Sequence, residues 1–126
     1  MKKIFLICPV RNATPEVTGQ IETYVAKLEA EGCKVHWPAR DTDQTDSHGL
    51  SICLTNFRAI QEADEIHIWF DPESYGSVWD EGGLFMLHLL EGTRKVVLAN
   101  RVDPTPIKSF ANVLLWMAEE TSDLDN

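Results

Sequence analysis

Short apolar runs that stop at turn residues constrain the fold of this chain more than any other feature. Three such runs cover residues 3–8, 65–70 and 95–99, and a weaker one covers residues 33–37. Continuous apolar runs of this length, bounded by Pro or Asn, are typical of strands buried on both faces of a parallel sheet. The sequence therefore predicts four short strands.

Amphipathic helical segments separate these runs. The first begins with Thr14 as the cap and Pro15 in the first turn, carries apolar residues at helical spacing up to Leu28, and ends at Gly32. Three more segments show the same pattern: Leu50 to Ile60, Val78 to Gly92, and Ile107 to Met117 behind Thr105-Pro106.

Strands that alternate with helices of this length predict βαβ crossovers and a sheet covered on both faces. We therefore expect an α/β three-layer sandwich with a parallel, flavodoxin-like or Rossmann-like sheet of four to five strands. The longest segment with no predicted element is residues 38–49, and a loop of that length in a compact domain is typically functional.

Composition limits the size of the protein and its partners. The chain has 126 residues, with 20 acidic against 11 basic side chains and a net charge of −9. This length predicts one domain over residues 1–120, and the acidic run that starts at Glu119 predicts a solvated, frayed tail that includes residues 121–126. The negative charge argues against nucleic-acid polymers and anionic membranes as partners.

The location expected from the sequence is the cytoplasm. No apolar run approaches the roughly 20 residues that a membrane span needs, and the opening segment lacks the features of a signal peptide. Three cysteines with no metal-binding spacing predict reduced thiols. We expect no metal and no organic cofactor.

Ligands of open parallel sheets bind at the carboxyl ends of the strands. The most informative segment at that edge is residues 74–83, in which hydroxyls and glycine lead into a helix and two adjacent carboxylates follow. One interpretation is an anion or sugar site at the helix N-terminus, with Ser74 and Ser77 as donors. The other is a capping box formed by Ser77 and Asp80. The glycines at 82 and 83 indicate a close approach.

Several familiar site types are excluded by their motifs. The loop after the first strand has neither a GxxxxGK[ST] phosphate loop nor a GxGxxG dinucleotide motif, and Arg11 follows Cys8 too closely for a Cys-x5-Arg phosphatase loop. Asp71 stands without the acidic pair of a phosphoacceptor domain. We interpret Cys8 as a small core residue.

The remaining motifs carry a resemblance. The sequence Ser74-Tyr75-Gly76-Ser77 followed by Asp80, the segment 56–64 that ends in Ala-Asp, and the opening Lys-Ile-Phe-Leu-Ile-Cys-Pro strand resemble the nucleoside 2-deoxyribosyltransferase family over residues 2–100. The resemblance implies a parallel α/β sandwich that binds a nucleoside or nucleotide. In that family a carboxylate attacks the anomeric carbon, releases the base and forms a glycosyl-enzyme ester, which a second base or water resolves.

The resemblance also assigns roles to residues. Asp80 stands at the position of the nucleophile, and Glu81 takes that position if the loop carries one extra residue. Asn56 stands where members that exchange bases generally have the aspartate that handles the proton on the base. Asparagine cannot shuttle that proton, although it still hydrogen-bonds a base or ribose. The alternative function is therefore a nucleotide-binding or sensing domain without catalysis.

Further ligand contacts are expected from position. Pro9 and Arg11 follow the first strand, where Arg11 either clamps a phosphate or is an exposed arginine without a ligand. Tyr75 and Trp79 either stack on a base or pack against the sheet. Gly76 and its neighbouring serines complete the predicted ligand-binding set.

Self-association is the last expectation from the sequence. Leu115, Trp116 and Met117 enlarge the apolar stripe of the fourth helical segment beyond what one sheet face can cover. The sequence therefore predicts a homodimer or larger assembly.

Overall fold

The computed structural model describes residues 1–124 and contains the parallel sheet that the sequence predicts. Its four strands lie in the order β2-β1-β3-β4. In the register, Ile4 lies opposite Val35 on one side and Glu65 on the other. The strands are β1 (Lys3–Ile7), β2 (Lys34–His36), β3 (Glu65–Ile68) and β4 (Lys95–Leu98).

Helices cover both faces of this sheet. They are α1 (Pro15–Ala30), α2 (Pro38–Asp41), α3 (Leu50–Glu62), α4 (Tyr75–Leu90) and α5 (Phe110–Glu120). Helix α1 packs through Ile21 and Val25 on one face, against Leu6 and its neighbours. Helices α3, α4 and α5 pack on the other face, where their core residues meet Phe5, Ile7, Ile66, Ile68 and Val96. The predicted three-layer α/β sandwich of flavodoxin-like type is confirmed.

The first helix forms as its sequence predicts. Thr14 is the N-cap, and its hydroxyl oxygen accepts a hydrogen bond from the Val17 amide at 3.2 Å. Pro15 occupies the first turn, where its missing N–H costs nothing. Gly32 follows the helix with a φ of 93°, a conformation that favours glycine.

Helix α5 starts later than predicted. Its N-cap is Ser109, whose Oγ accepts from the Asn112 amide at 3.2 Å, so Thr105-Pro106 does not open it. The Thr105 hydroxyl instead donates to the Ile107 carbonyl at 2.6 Å within the preceding loop, and Ile107 is exposed. A proline at a plausible first position is a weaker start signal than a serine that can cap.

The segment 38–49, predicted to be entirely loop, begins with the short helix α2. Pro38 lies in its first turn, and the Asp41 carboxylate accepts from the Trp37 amide at 2.9 Å. This side-chain bond closes one helical turn directly behind β2. Arg40 of this helix is paired with Glu29 of α1 at 2.9 Å.

The end of the chain is more ordered than predicted. Glu119 and Glu120 are exposed residues of the last turn of α5 and not a frayed tail. Thr121 is buried, and its Oγ1 accepts from the Val96 amide at 2.9 Å while donating to the Met117 carbonyl. Thr121, the first residue of the predicted tail, thus ties α5 to β4, whereas Asp125 and Asn126 lie outside the described residues.

A polar network is buried between α1 and the sheet. His67 Nε2 lies 3.0 Å from the Glu65 carboxylate, and its Nδ1 lies 2.6 Å from the Tyr24 hydroxyl. Lys2 pairs with the same carboxylate at 2.8 Å. Burial lowers the pKa of His67 and raises that of Tyr24 to about 12, which keeps both groups neutral. Both ring nitrogens of His67 are therefore engaged in contacts within the fold.

No helix within residues 1–124 is long and apolar enough to cross a membrane.

Candidate functional site

Two adjacent carboxyl groups are buried in the second turn of α4. Asp80 is 8% exposed and Glu81 is 6% exposed. Burial raises the pKa of both groups to about 7, and the negative charge of Asp80 adds to the effect on Glu81. Each carboxyl therefore changes its charge near neutral pH, where the loss of water around it makes a carboxylate more reactive.

The cap of this helix is Ser74, and not the capping box of Ser77 and Asp80. The Ser74 Oγ accepts from the Ser77 amide at 3.3 Å, and its hydroxyl donates to the Ser77 Oγ at 2.9 Å. Ser77 is a buried residue inside the first turn. Because Ser74 caps the helix, the burial of Asp80 has no capping function to explain it.

The two glycines after Glu81 have different surroundings. A Cβ at Gly83 would overlap with the ring of Phe57, whereas a Cβ at Gly82 would meet open space. The close approach that the glycine pair predicts is therefore a contact between α3 and α4 at Gly83.

The carboxyl of Asp80 lies near the end of β1. Its charge contributes to the environment of Cys8, which directly follows β1, and Cys8 interacts with Trp37, which directly follows β2. Burial is the main cause that raises the pKa of the Cys8 thiol to about 12. Cys8 therefore stays a neutral thiol in the core, as the sequence predicts.

Asn56 is held by a chain of hydrogen bonds that reaches the same edge. The Thr42 hydroxyl donates to Asn56 Oδ1 at 2.7 Å, and His36 Nε2 lies 2.7 Å from the same hydroxyl oxygen. Because a hydroxyl has one proton, His36 Nε2 is the donor in the second bond. The amide NH₂ of Asn56 is then the part of this side chain that is able to donate a hydrogen bond to a ligand.

Sequence reasoning did not identify Thr42 or His36. Both are buried or half-buried, and burial is the main cause that lowers the pKa of His36. The signal that pointed to Thr42 was its place in the long segment after β2, which we expected to be functional.

The predicted ligand-binding residues fall into buried and exposed groups. Pro9 is buried behind β1, while Arg11 and Gly76 are exposed. Tyr75 is 90% exposed and Trp79 is 64% exposed, so neither packs against the sheet. Both aromatic rings are accessible to a ligand or another protein surface.

No protein-family model matches this chain, and no curated protein matches its sequence. Among residues 1–124 no group of three or more His, Cys, Asp or Glu side chains is arranged to hold a metal ion. The functional groups that the candidate site offers are the carboxyls of Asp80 and Glu81 and the hydrogen-bonding amide of Asn56.

Proposed function

We propose that this protein binds a nucleoside or nucleotide and cleaves or exchanges its N-glycosidic bond, with Asp80 as the nucleophile. The observation that carries the proposal is the carboxyl of Asp80, buried in α4 and close to Cys8 at the carboxyl end of β1. Parallel sheets bind ligands at this edge. The resemblance of residues 74–80 to the nucleoside 2-deoxyribosyltransferase family suggests the reaction, which is nucleophilic attack by this carboxylate on the anomeric carbon.

The proposed reaction has two steps. The Asp80 carboxylate attacks the anomeric carbon as the bond to the base breaks, and the base leaves with the bonding electrons and takes up a proton. The product is a glycosyl ester on Asp80, and the carboxylate stabilises the oxocarbenium-like transition state that precedes it. A second base or a water molecule then attacks the same carbon, loses a proton and releases the carboxylate.

Asp80 is preferred to Glu81 as the nucleophile because the two carboxyl groups have different neighbours. Asp80 influences Cys8 at the end of β1, whereas Glu81 lines a cleft bounded by the loop after β4.

A second candidate function is recognition of a nucleotide without turnover. The observation that favours it is the amide of Asn56, which donates hydrogen bonds to a ligand but cannot carry a proton to the leaving base. The ligand pocket would then serve as a sensor on the same fold.

Chromatography of the pure protein with deoxynucleosides and their monophosphates, with and without a free base as acceptor, tests the proposal. We expect base release or exchange that is lost in Asp80→Asn and kept in the matched control Glu81→Gln. Turnover that survives Asp80→Asn would remove that residue from the mechanism. A folded protein that binds nucleotides with no turnover, even as Asn56→Asp, would support the sensor instead.

The proposal includes a cytoplasmic location and self-association. Cys8, Cys33 and Cys53 are all free thiols, which suits a reducing compartment. Met117, one of the residues from which self-association was predicted, is fully buried and contributes nothing to a surface. Trp116, another of those residues, is 43% exposed, and the exposed apolar residues of α4 include Tyr75, Trp79, Met86 and Leu90.

A further inference from the structure

A cleft of about 570 Å³ opens between the N-terminal turns of α4 and α5, above the ends of β3 and β4. Phe70 and Phe110 line it with aromatic rings, and Val78 and Val102 add aliphatic surface. Its size is that of sites for small organic molecules and far exceeds what an ion needs.

Glu81 supplies the polar group of this cleft. Glu81 lines the cleft and is 6% exposed, and its Oε2 is buried without a hydrogen-bond partner among the described residues. A buried oxygen in this state lacks the stabilisation that buried polar groups in proteins normally have. The carboxyl is therefore able to accept a hydrogen bond from an N–H or O–H donor that enters the cleft.

The other residues that line the cleft indicate which kind of ligand carries this donor. Arg101 at the rim is already paired with Asp103, with 2.9 Å between guanidinium Nε and carboxylate Oδ1, so the cleft offers no free cation for an anionic group. The two phenyl rings favour a flat aromatic surface, since aromatic rings pack well on one another. A neutral heterocycle with an N–H donor satisfies both the walls and the carboxyl.

We propose that this cleft is a binding site for a flat heteroaromatic ring, of the size of a nucleobase, that donates an N–H to Glu81. The ring lies between Phe70 and Phe110. Cys8, Trp37 and Asn56, which surround the proposed reaction, do not line this cleft. The site is therefore separate from that of Asp80 and is tested without any turnover.

Theophylline and caffeine are a matched pair of probes. Theophylline has one ring N–H, and caffeine has a methyl group in its place on the same ring system. In an amide-resolved NMR titration of the whole chain we expect theophylline to shift the signals of Glu81, Val102 and Phe110. Caffeine should bind roughly tenfold or more weakly, as expected for the loss of one hydrogen bond to a charged acceptor.

Substitutions measure separately how the Glu81 carboxyl and the aromatic walls of the cleft contribute to binding. Glu81→Met removes the acceptor and should abolish the preference for theophylline, while Glu22→Gln, at an exposed residue of α1 on the other face of the sheet, should keep it. Phe110→Ala, at a residue that is 67% exposed and therefore dispensable for folding, should weaken binding of both probes. Equal affinities for the two probes, shifts confined to other regions, or no shift at all would overturn the proposal. Shifts that follow protein concentration instead of probe concentration would assign the cleft to a contact between copies.

Discussion

At the scale of single residues, Asp80 is held in a state that opposes folding. Its pKa rises from 3.8 to about 7 because burial removes water from its charged form. A protein keeps such a group only if the group has another use, and perturbed carboxyl groups of this kind are concentrated at functional sites. The burial of Asp80 therefore lowers the free energy of unfolding by an amount that can be measured.

The sign of this cost follows from the two pKa values. Below about pH 4 the carboxyl is protonated in both the folded and the unfolded chain, and no penalty exists. As the pH rises from about 4 to about 7, the unfolded chain ionises first and the folded state loses stability. Asp80→Asn should therefore raise the free energy of unfolding at pH 8 by about 2–4 kcal/mol, and the gain should vanish near pH 4.

Urea unfolding of both proteins across this pH range is the measurement. Glu22→Gln is the control, because Glu22 is an exposed residue of α1 and its substitution should leave the pH profile unchanged. A stability difference between Asp80→Asn and the wild type that is the same at pH 4 and pH 8 would contradict the prediction.

At the scale of elements, the contact between α3 and α4 depends on Gly83. In Gly83→Ala the new methyl group displaces the half-buried ring of Phe57, which should cost about 1–3 kcal/mol of unfolding free energy. The matched variant Gly82→Ala has open space, and the better helix propensity of alanine should stabilise it by about 0.5–1 kcal/mol. Thermal or urea unfolding of the two variants should therefore give opposite signs, and equal signs would refute the proposed contact.

The two glycines also show which part of a helix contact can be predicted from local sequence. The glycine pair in α4 correctly indicated a close approach at Gly83. The sequence alone does not identify the approaching residue as Phe57, because this contact depends on how α3 and α4 pack together. The strands were predictable because short, continuous apolar runs bounded by turn residues are typical of buried parallel strands. The start of α5 was not, because Ser109 competes with the Thr105-Pro106 signal and only the loop geometry decides between them.

At the scale of the whole molecule, the site combines residues whose partners are distant in the chain. The burial of Asp80 and Glu81 depends on how α4 lies on the sheet, and Asn56 receives its orientation from Thr42 and His36. The candidate residues could be named from the sequence, but their pKa shifts and the different surroundings of Asp80 and Glu81 could not, since desolvation is a property of packing.

The exposed stripe of α4 is the largest apolar feature that the fold leaves uncovered on a single helix. Tyr75, Trp79, Met86 and Leu90 recur at helical spacing, so they share one face over the length of α4. Because contiguous exposed apolar surface on a folded protein typically marks an interface, we expect a dimer or larger assembly that buries this stripe.

Sedimentation velocity of the wild type and of the double variant Met86→Lys with Leu90→Lys measures this expectation. Two charges on the stripe oppose its burial, so the double variant should sediment as a monomer while keeping the circular dichroism of the wild type. Ile107→Lys is the matched control, because Ile107 is equally apolar and exposed but lies in the loop before α5. A wild type that is monomeric at every concentration would refute the interface, and an assembly that survives the double variant but not Ile107→Lys would move it to the α5 side of the molecule.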